Sequence, residues 1–206
     1  MYVDTRGSQS RIGLGDVSTN GDSSNGLRKV FADRTVTLAE LPSGKAGTVT
    51  TLKHMRDFAR AAIRNPSQRI RNKALEIFSV RGVPPRAWYK EICALARFVR
   101  DEIRYVKDPV GVELVQTPEA TLDIGQGDCD DKATLLASLL MATGHPAKFI
   151  AVGMGGGPLS HVLVQAKCGA SWLPLETIIQ KEPGWFPPGV TSRFVLDLGK
   201  PESIWS

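Results

Sequence analysis

At Gly144 the hydrophobic period of this chain changes, and that change restricts the folds open to it. Upstream, apolar residues recur every three to four positions; downstream, they alternate. Three amphipathic helices are expected first. One covers about 51–64, with Leu52, Met55, Phe58, Ala59 and Ala62 on a single face. A second, about 67–81, uses Ile70, Ala74, Leu75 and Phe78 and stops at Gly82. The third runs from near Pro85 to about Tyr105, with Trp88, Ile92, Leu95, Ala96, Val99 and Ile103 as its stripe and Pro84 and Pro85 at its entrance. A loop through Thr117-Pro118-Glu119 leads to a fourth helix that starts at Cys129 and ends at Gly144. Beyond it, 147–152, 160–167, 171–176 and 193–198 read as strands, the middle two joined by a turn at Cys168-Gly169-Ala170. Helices followed by strands predict an α+β fold with a small antiparallel sheet.

The 206 residues divide into a Gly/Ser-rich extended arm over 1–50 and a domain over 51–206. Residues 1–29 have no sustained period, and 30–50 suit an edge strand or a wrapping arm. Three cysteines have the wrong parity for a disulfide framework and point to a reducing compartment. No apolar run approaches the roughly 18 residues of a membrane span, and the polar N-terminus has no hydrophobic signal core. A cytoplasmic location, without secretion by a signal peptide, is the expectation from that reading. The net charge of +5 draws on Lys53, Arg56, Arg60, Arg64, Arg69, Arg71 and Lys73. Without zinc-finger spacing or an RNA-recognition signature beside it, this cluster reads as solvated helix faces rather than a nucleic-acid surface.

Cys129 carries the chemistry. It stands in Gly125-Gln126-Gly127-Asp128-Cys129-Asp130-Asp131, with Asp128 as a good N-cap and Ala133, Leu135, Leu136, Leu139 and Leu140 following at helical spacing. The positive end of a helix favours thiolate, whereas the flanking carboxylates oppose it. Such a cysteine needs a cationic partner. Of the three histidines, His54 falls in a basic helix and His145 at a helix exit, while His161 opens a strand after the glycine-rich stretch 153–157. With the hairpin turn near residue 169, His161 lies opposite about residue 177, so Glu176 comes within reach of its imidazole. Cys129, His161 and Glu176 form a nucleophile–base–orienter set.

Acyl chemistry also needs an oxyanion hole. The backbone N–H of Cys129 is the natural first donor and Gln126 the candidate second. Trp172 is a candidate shield for the imidazole, against the alternative of a core tryptophan. Neither Cys93 nor Cys168 has a base nearby in sequence, and no zinc spacing, calcium loop or phosphate-binding loop is present. No cofactor and no metal is expected.

Residues 117–177 resemble the transglutaminase-like superfamily, which shares a papain-like core. The motifs are Thr117-Pro118-Glu119-Ala120-Thr121-Leu122, Gly127-Asp128-Cys129-Asp130-Asp131, the helix-ending Gly144, His161, and Trp172-Leu173-Pro174-Leu175-Glu176-Thr177, with Ile103-Arg104-Tyr105 upstream. The likeness extends over roughly 50–180 and is strongest to short bacterial and tailed-phage members. It departs at Glu176, where the family usually has aspartate, and at Val162, where an alanine is common.

Together these features predict a cysteine-dependent acyl-transfer enzyme that hydrolyses an amide or peptide bond through a thioester. A protein or a cell-wall peptide is the expected substrate class. The alternative is a structural or assembly component of a phage virion that keeps the fold and uses residues 1–50 to dock.

Overall fold

The computed structural model describes residues 28–31, 34–38, 44–108 and 114–199. Of the arm expected over 1–50, residues 1–27, 32–33 and 39–43 lie outside them. In chain order the elements are β1 (Arg28–Phe31), β2 (Arg34–Leu38), α1 (Gly44–Arg64), α2 (Arg69–Val80), α3 (Trp88–Glu102), β3 (Arg104–Tyr105), β4 (Leu114–Gln116), α4 (Pro118–Ile124), β5 (Gln126–Gly127), α5 (Cys129–Ala142), β6 (Ala147–Met154), β7 (His161–Cys168), β8 (Ser171–Leu175) and β9 (Val190–Asp197).

Helix α5 is the axis of the fold. Every residue from Asp131 to Ala142 is buried. A helix apolar on all sides is stable only when neighbours enclose it. Here α1, α2, α3 and α4 pack around it, and β6 and β7 close the remaining side. The four-stranded antiparallel sheet has the order β8-β7-β6-β9. Val162, Val164 and Ala166 join the main core with the α5 leucines, whereas Leu163 packs with Ile150 and Val152 on the opposite face under Phe186 and Val190. The inner strands β6 and β7 are thus covered on both faces, whereas the edge strands β8 and β9 are largely half-buried or exposed. From the segment Trp185-Phe186-Pro187-Pro188, Phe186 forms part of that cover.

Two smaller sheets set the entry to α5. Strands β1, β2 and β4 make an antiparallel sheet, so the edge strand expected between 30 and 50 is a hairpin that pairs with the domain. Strands β3 and β5 pair in parallel, Arg104 with Gln126 and Tyr105 with Gly127. Three boundaries differ from expectation. Helix α1 begins at Gly44 and is under way where the arm was expected to end. Helix α3 stops at Glu102, because Ile103 turns extended to enter β3. The segment after Thr117 is a helix rather than a loop: Thr117 caps it by accepting from the Ala120 N–H, with Pro118 in the first turn. Seven residues are too few for a hydrophobic period to reveal.

Much of the basic cluster is engaged within the chain. Arg60 donates from Nε (3.1 Å) and from its terminal nitrogen (2.9 Å) to the Leu198 carbonyl, Arg69 pairs with Asp123, and Lys73 pairs with Glu76 at 2.8 Å. No helix among the described residues is long and apolar enough to cross a membrane.

Because α5 is enclosed, Leu136→Ala, at a fully buried position, is expected to destabilise the domain by about 2–5 kcal/mol. Leu75→Ala, at a site 42% exposed, is expected to change stability by less than about 1 kcal/mol. Urea unfolding of both variants checks this contrast; equal midpoints would contradict the central placement of α5.

Candidate active site

The turn that carries Cys129 is built from its neighbours inward. Strand β3 grips the approach, Arg104 N–H donating to the Gly125 carbonyl (2.9 Å) and Val106 N–H to that of Gly127 (3.0 Å). The Asp128 side chain caps α5 by accepting the N–H groups of Asp130 (2.9 Å) and Asp131 (3.2 Å). Asp131 completes a capping box by accepting the Asp128 N–H at 3.2 Å. It also accepts the Gln116 N–H (2.7 Å) and the Gln116 carboxamide (2.8 Å), tying β4 to the same turn. Gly127 is required here by close approach: a Cβ would lie 2.5 Å from the Asp131 Cβ.

Across from this turn, β7 delivers His161. Its Nε2 meets the Glu176 carboxylate at 2.8 Å, and Glu176 is 3% exposed. The ladder pairs Cys168 with Ser171 and Val164 with Leu175, around a turn at Gly169 with φ 59°. Carried past its last pair, this register sets Ile178 opposite His161, one residue beyond the expected position. The other Glu176 oxygen accepts the N–H groups of Thr177 (2.9 Å) and Ile178 (2.8 Å). Burial raises the Glu176 pKa, but the His161 bond and charge and these two N–H groups outweigh it, and the carboxyl lies below its ordinary range. The Cys129 sulfur is turned to the backbone N–H of Val162, the residue after His161.

The thiol itself is not predisposed to ionise. Burial pushes its pKa up, and the Asp130 and Asp128 carboxylates add to the effect, with only the Val162 N–H opposing them. The Cys129 sulfur donates to Asp130 Oδ1 at 3.3 Å. The sequence-based expectation that the helix terminus favours thiolate therefore loses to burial and to the first-turn carboxylates.

The remaining candidates separate. Gln126 borders the nucleophile turn, and its carboxamide oxygen accepts from Arg104 at 2.6 Å. Since a guanidinium only donates, this fixes which end of the amide is oxygen and leaves the NH2 end directed away from Arg104. Trp172 does not shield His161. It pairs with Lys167, and six residues along β7 place it roughly 20 Å from the histidine. There its ring meets Lys148 at 4.0 Å and Lys167 at 5.4 Å. His145 is buried and bonded to Glu91 at 2.9 Å. Cys93 is buried in α3, where desolvation raises its pKa.

Four residues around the site carry weight that the sequence did not show. Arg104 holds Gln126. Gln116 holds Asp131. Tyr105 is linked electrostatically to Cys129, Asp128, Asp108 and Asp130, and burial with these charges raises its pKa. Lys132, inside the apolar helix, is 1% exposed. The Ile103-Arg104-Tyr105 motif flagged the right strand without assigning it a role. Nothing in a lone polar letter distinguishes Lys132 from a surface lysine.

The model of the transglutaminase-like superfamily matches residues 79–177, from the end of α2 to the residue after Glu176. Among solved structures, a candidate protease from Parabacteroides distasonis is similar with a TM-score of 0.51 and 13% identity, over 73% of this chain and 30% of that one. For a candidate cysteine protease from Cytophaga hutchinsonii the TM-score is 0.45 and the identity 14%, over 80% of this chain and 58% of that one. The chain thus spans less than two thirds of either protein, and the first likeness is one of fold. No curated protein matches the chain.

Two substitutions test the first turn. Gly127→Ala must displace Asp131 and is expected to cost about 1–3 kcal/mol in urea unfolding through lost buried hydrogen bonds. Asp130→Asn removes both a negative charge and the anionic acceptor of the thiol proton, which lowers the Cys129 pKa. Iodoacetamide labelling of Cys129 at pH 7, read by peptide mass spectrometry, is then expected to accelerate by about tenfold, or one pKa unit. An unchanged rate would refute the electrostatic account.

Proposed function

Given the transglutaminase-like core over residues 79–177, we propose that this protein is a cysteine-dependent acyl-transfer enzyme that hydrolyses an amide or peptide bond. The observation that carries the reading is the buried His161–Glu176 bond of 2.8 Å beside a cysteine whose sulfur meets the next residue's N–H. The His161–Glu176 bond is formed within the chain itself, and Cys129 is the first residue of the enclosed helix α5.

His161 removes the thiol proton as the Cys129 sulfur attacks the substrate carbonyl, and Glu176 stabilises the imidazolium that forms. The tetrahedral oxyanion takes the Cys129 backbone N–H, which the Asp128 cap leaves aside, together with the carboxamide NH2 of Gln126. Collapse breaks the carbon–nitrogen bond, and the amine leaves with the proton that His161 held. Water, deprotonated by His161, then attacks the thioester, releasing the acid and restoring the thiol. The substrate class that suits this chemistry is a protein or a cell-wall peptide. The assembly alternative draws on residues 1–50, of which 1–27, 32–33 and 39–43 lie outside the described residues, and no feature of the site favours it.

The test uses p-nitrophenyl acetate as a chemical acyl donor, with the acyl adduct located by mass spectrometry. Cys129 is expected to acylate and turn over faster than Cys93 or Cys168, and His161→Ala to slow this by about 100-fold or more. Glu176→Gln is expected to retain the fold and lose part of the rate. Acylation of Cys129 no faster than that of Cys168 would sink the proposal.

A further inference from the structure

The four-stranded sheet ends in two unlike edges. On β8, Pro174 has no N–H to offer, and its carbonyl already accepts the Gly184 N–H at 2.8 Å. On β9, the eight residues Val190–Asp197 have β6 on one side and, among the described residues, no strand on the other.

The ladder decides which β9 groups face outward. The Leu198 N–H donates to the Ala147 carbonyl at 3.3 Å, and the register continues with Phe149 opposite Leu196 and Ala151 opposite Phe194. Hydrogen-bonded pairs alternate along an antiparallel ladder. Phe194 and Leu196 therefore bond to β6, while Arg193, Val195 and Asp197 turn their N–H and C=O groups to the open side. The other flank of β6 agrees: Pro146 accepts the Lys167 N–H at 2.9 Å, so alternate β6 residues serve β7. The side chains of the three outward residues share one face and are all exposed, Val195 by 44%. Phe194 and Leu196 lie on the other face, half-buried against the main core.

We propose that β9 is a self-recognition edge, pairing antiparallel with β9 of a second copy of this chain about a two-fold axis at Val195. The two four-stranded sheets then become one. This register sets Arg193 opposite Asp197 of the second copy on both sides of the axis, and Val195 opposite its own counterpart. Outward residues meet outward residues at each of these positions, so backbone hydrogen bonds form along the whole contact. On the core face Phe194 meets Leu196, and each covers the other's exposed part. An axis at Phe194 or Leu196 keeps the hydrogen-bond parity but sets Arg193 opposite Val195 or Gly199, and an axis at Arg193 or Asp197 opposes like charges. Charge on an edge strand ordinarily deters pairing. Here the two charges are opposite in sign and equidistant from the axis, so the edge that rejects other strands accepts its own. Within its chain Asp197 also meets Lys148 at 3.3 Å and the Gly199 N–H at 2.9 Å, yet its side chain stays 60% exposed and open to a second cation. The inference is independent of the chemistry assigned to Cys129.

Sedimentation equilibrium of the full chain decides. The parent is expected to pass from monomer to dimer between about 1 μM and 1 mM, the range of a small interface. Arg193→Asp, which sets like charges opposite each other, is expected to weaken dimerisation by about tenfold or more. Asp197→Arg carries the same defect with the opposite sign. Each variant alone should therefore stay largely monomeric, whereas an equimolar mixture of the two should dimerise as the parent does. A parent that stays monomeric throughout, or an Arg193→Asp variant that dimerises as tightly as the parent, would overturn the proposal. A mixture no tighter than its components overturns it as well. If circular dichroism shows that Asp197→Arg does not fold, Val195→Pro takes its place, because it removes an outward N–H and leaves the bonds to β6. Parent-like dimerisation of that variant overturns the proposal equally.

Discussion

The Asp131 carboxylate is the contact on which the geometry of the site depends. It is fully buried and accepts N–H donors from β4 and from the turn before α5, so two separate stretches of chain are fixed against one helix. Burial and the neighbouring Asp128 raise its pKa, while the Gln116 and Asp128 N–H groups pull the other way. Removing the carboxylate would leave those donors without a partner in the interior, at about 1–3 kcal/mol for each group. The same contact explains Gly127, where any side chain would enter the space Asp131 occupies. Since α5 is buried from Asp131 to Ala142, only its first residues, Cys129 and Asp130, are partly open, and their turn is what Asp131 holds.

The sheet supplies the other half. Strand β8 leaves the ladder at Leu175, and its register sets Ile178, not Glu176, opposite His161. The carboxylate therefore has to reach along the strand direction to meet the imidazole. Glutamate has the extra methylene for that reach, and its second oxygen folds back onto the N–H groups of Thr177 and Ile178. The departure from the usual aspartate is thus compatible with a formed pair, because reach along the strand and self-capping are met by one side chain.

What the sequence disclosed follows from the range of the interactions involved. Period and turn signals are local, and they placed α5, the hairpin of β7 and β8, and the Asp128 cap to within a residue or two. Glu176 was found because a short hairpin converts sequence distance into register. Trp172 lies on β8, the strand that leads to Glu176, but it sits near the turn, at the far end from His161. Helix α4 was too short to show a period. Lys132 and Gln116 act through contacts across 29 and 15 residues of sequence, and a single polar letter gives no sign of such a partner.

The electrostatics of the first turn show how stability and reactivity compete within one motif. Capping α5 calls for acceptors at Asp128 and Asp131, and Asp130 adds a third carboxylate beside the sulfur. Each favours the helix dipole and each opposes a thiolate. Burial, which the packing of α5 imposes, raises the thiol further. Burial and these carboxylates therefore favour the thiol over the thiolate at Cys129. On the catalytic reading proposed above, the His161–Glu176 pair would take the thiol proton, and a base already oriented by its carboxylate removes the need for a low-pKa nucleophile.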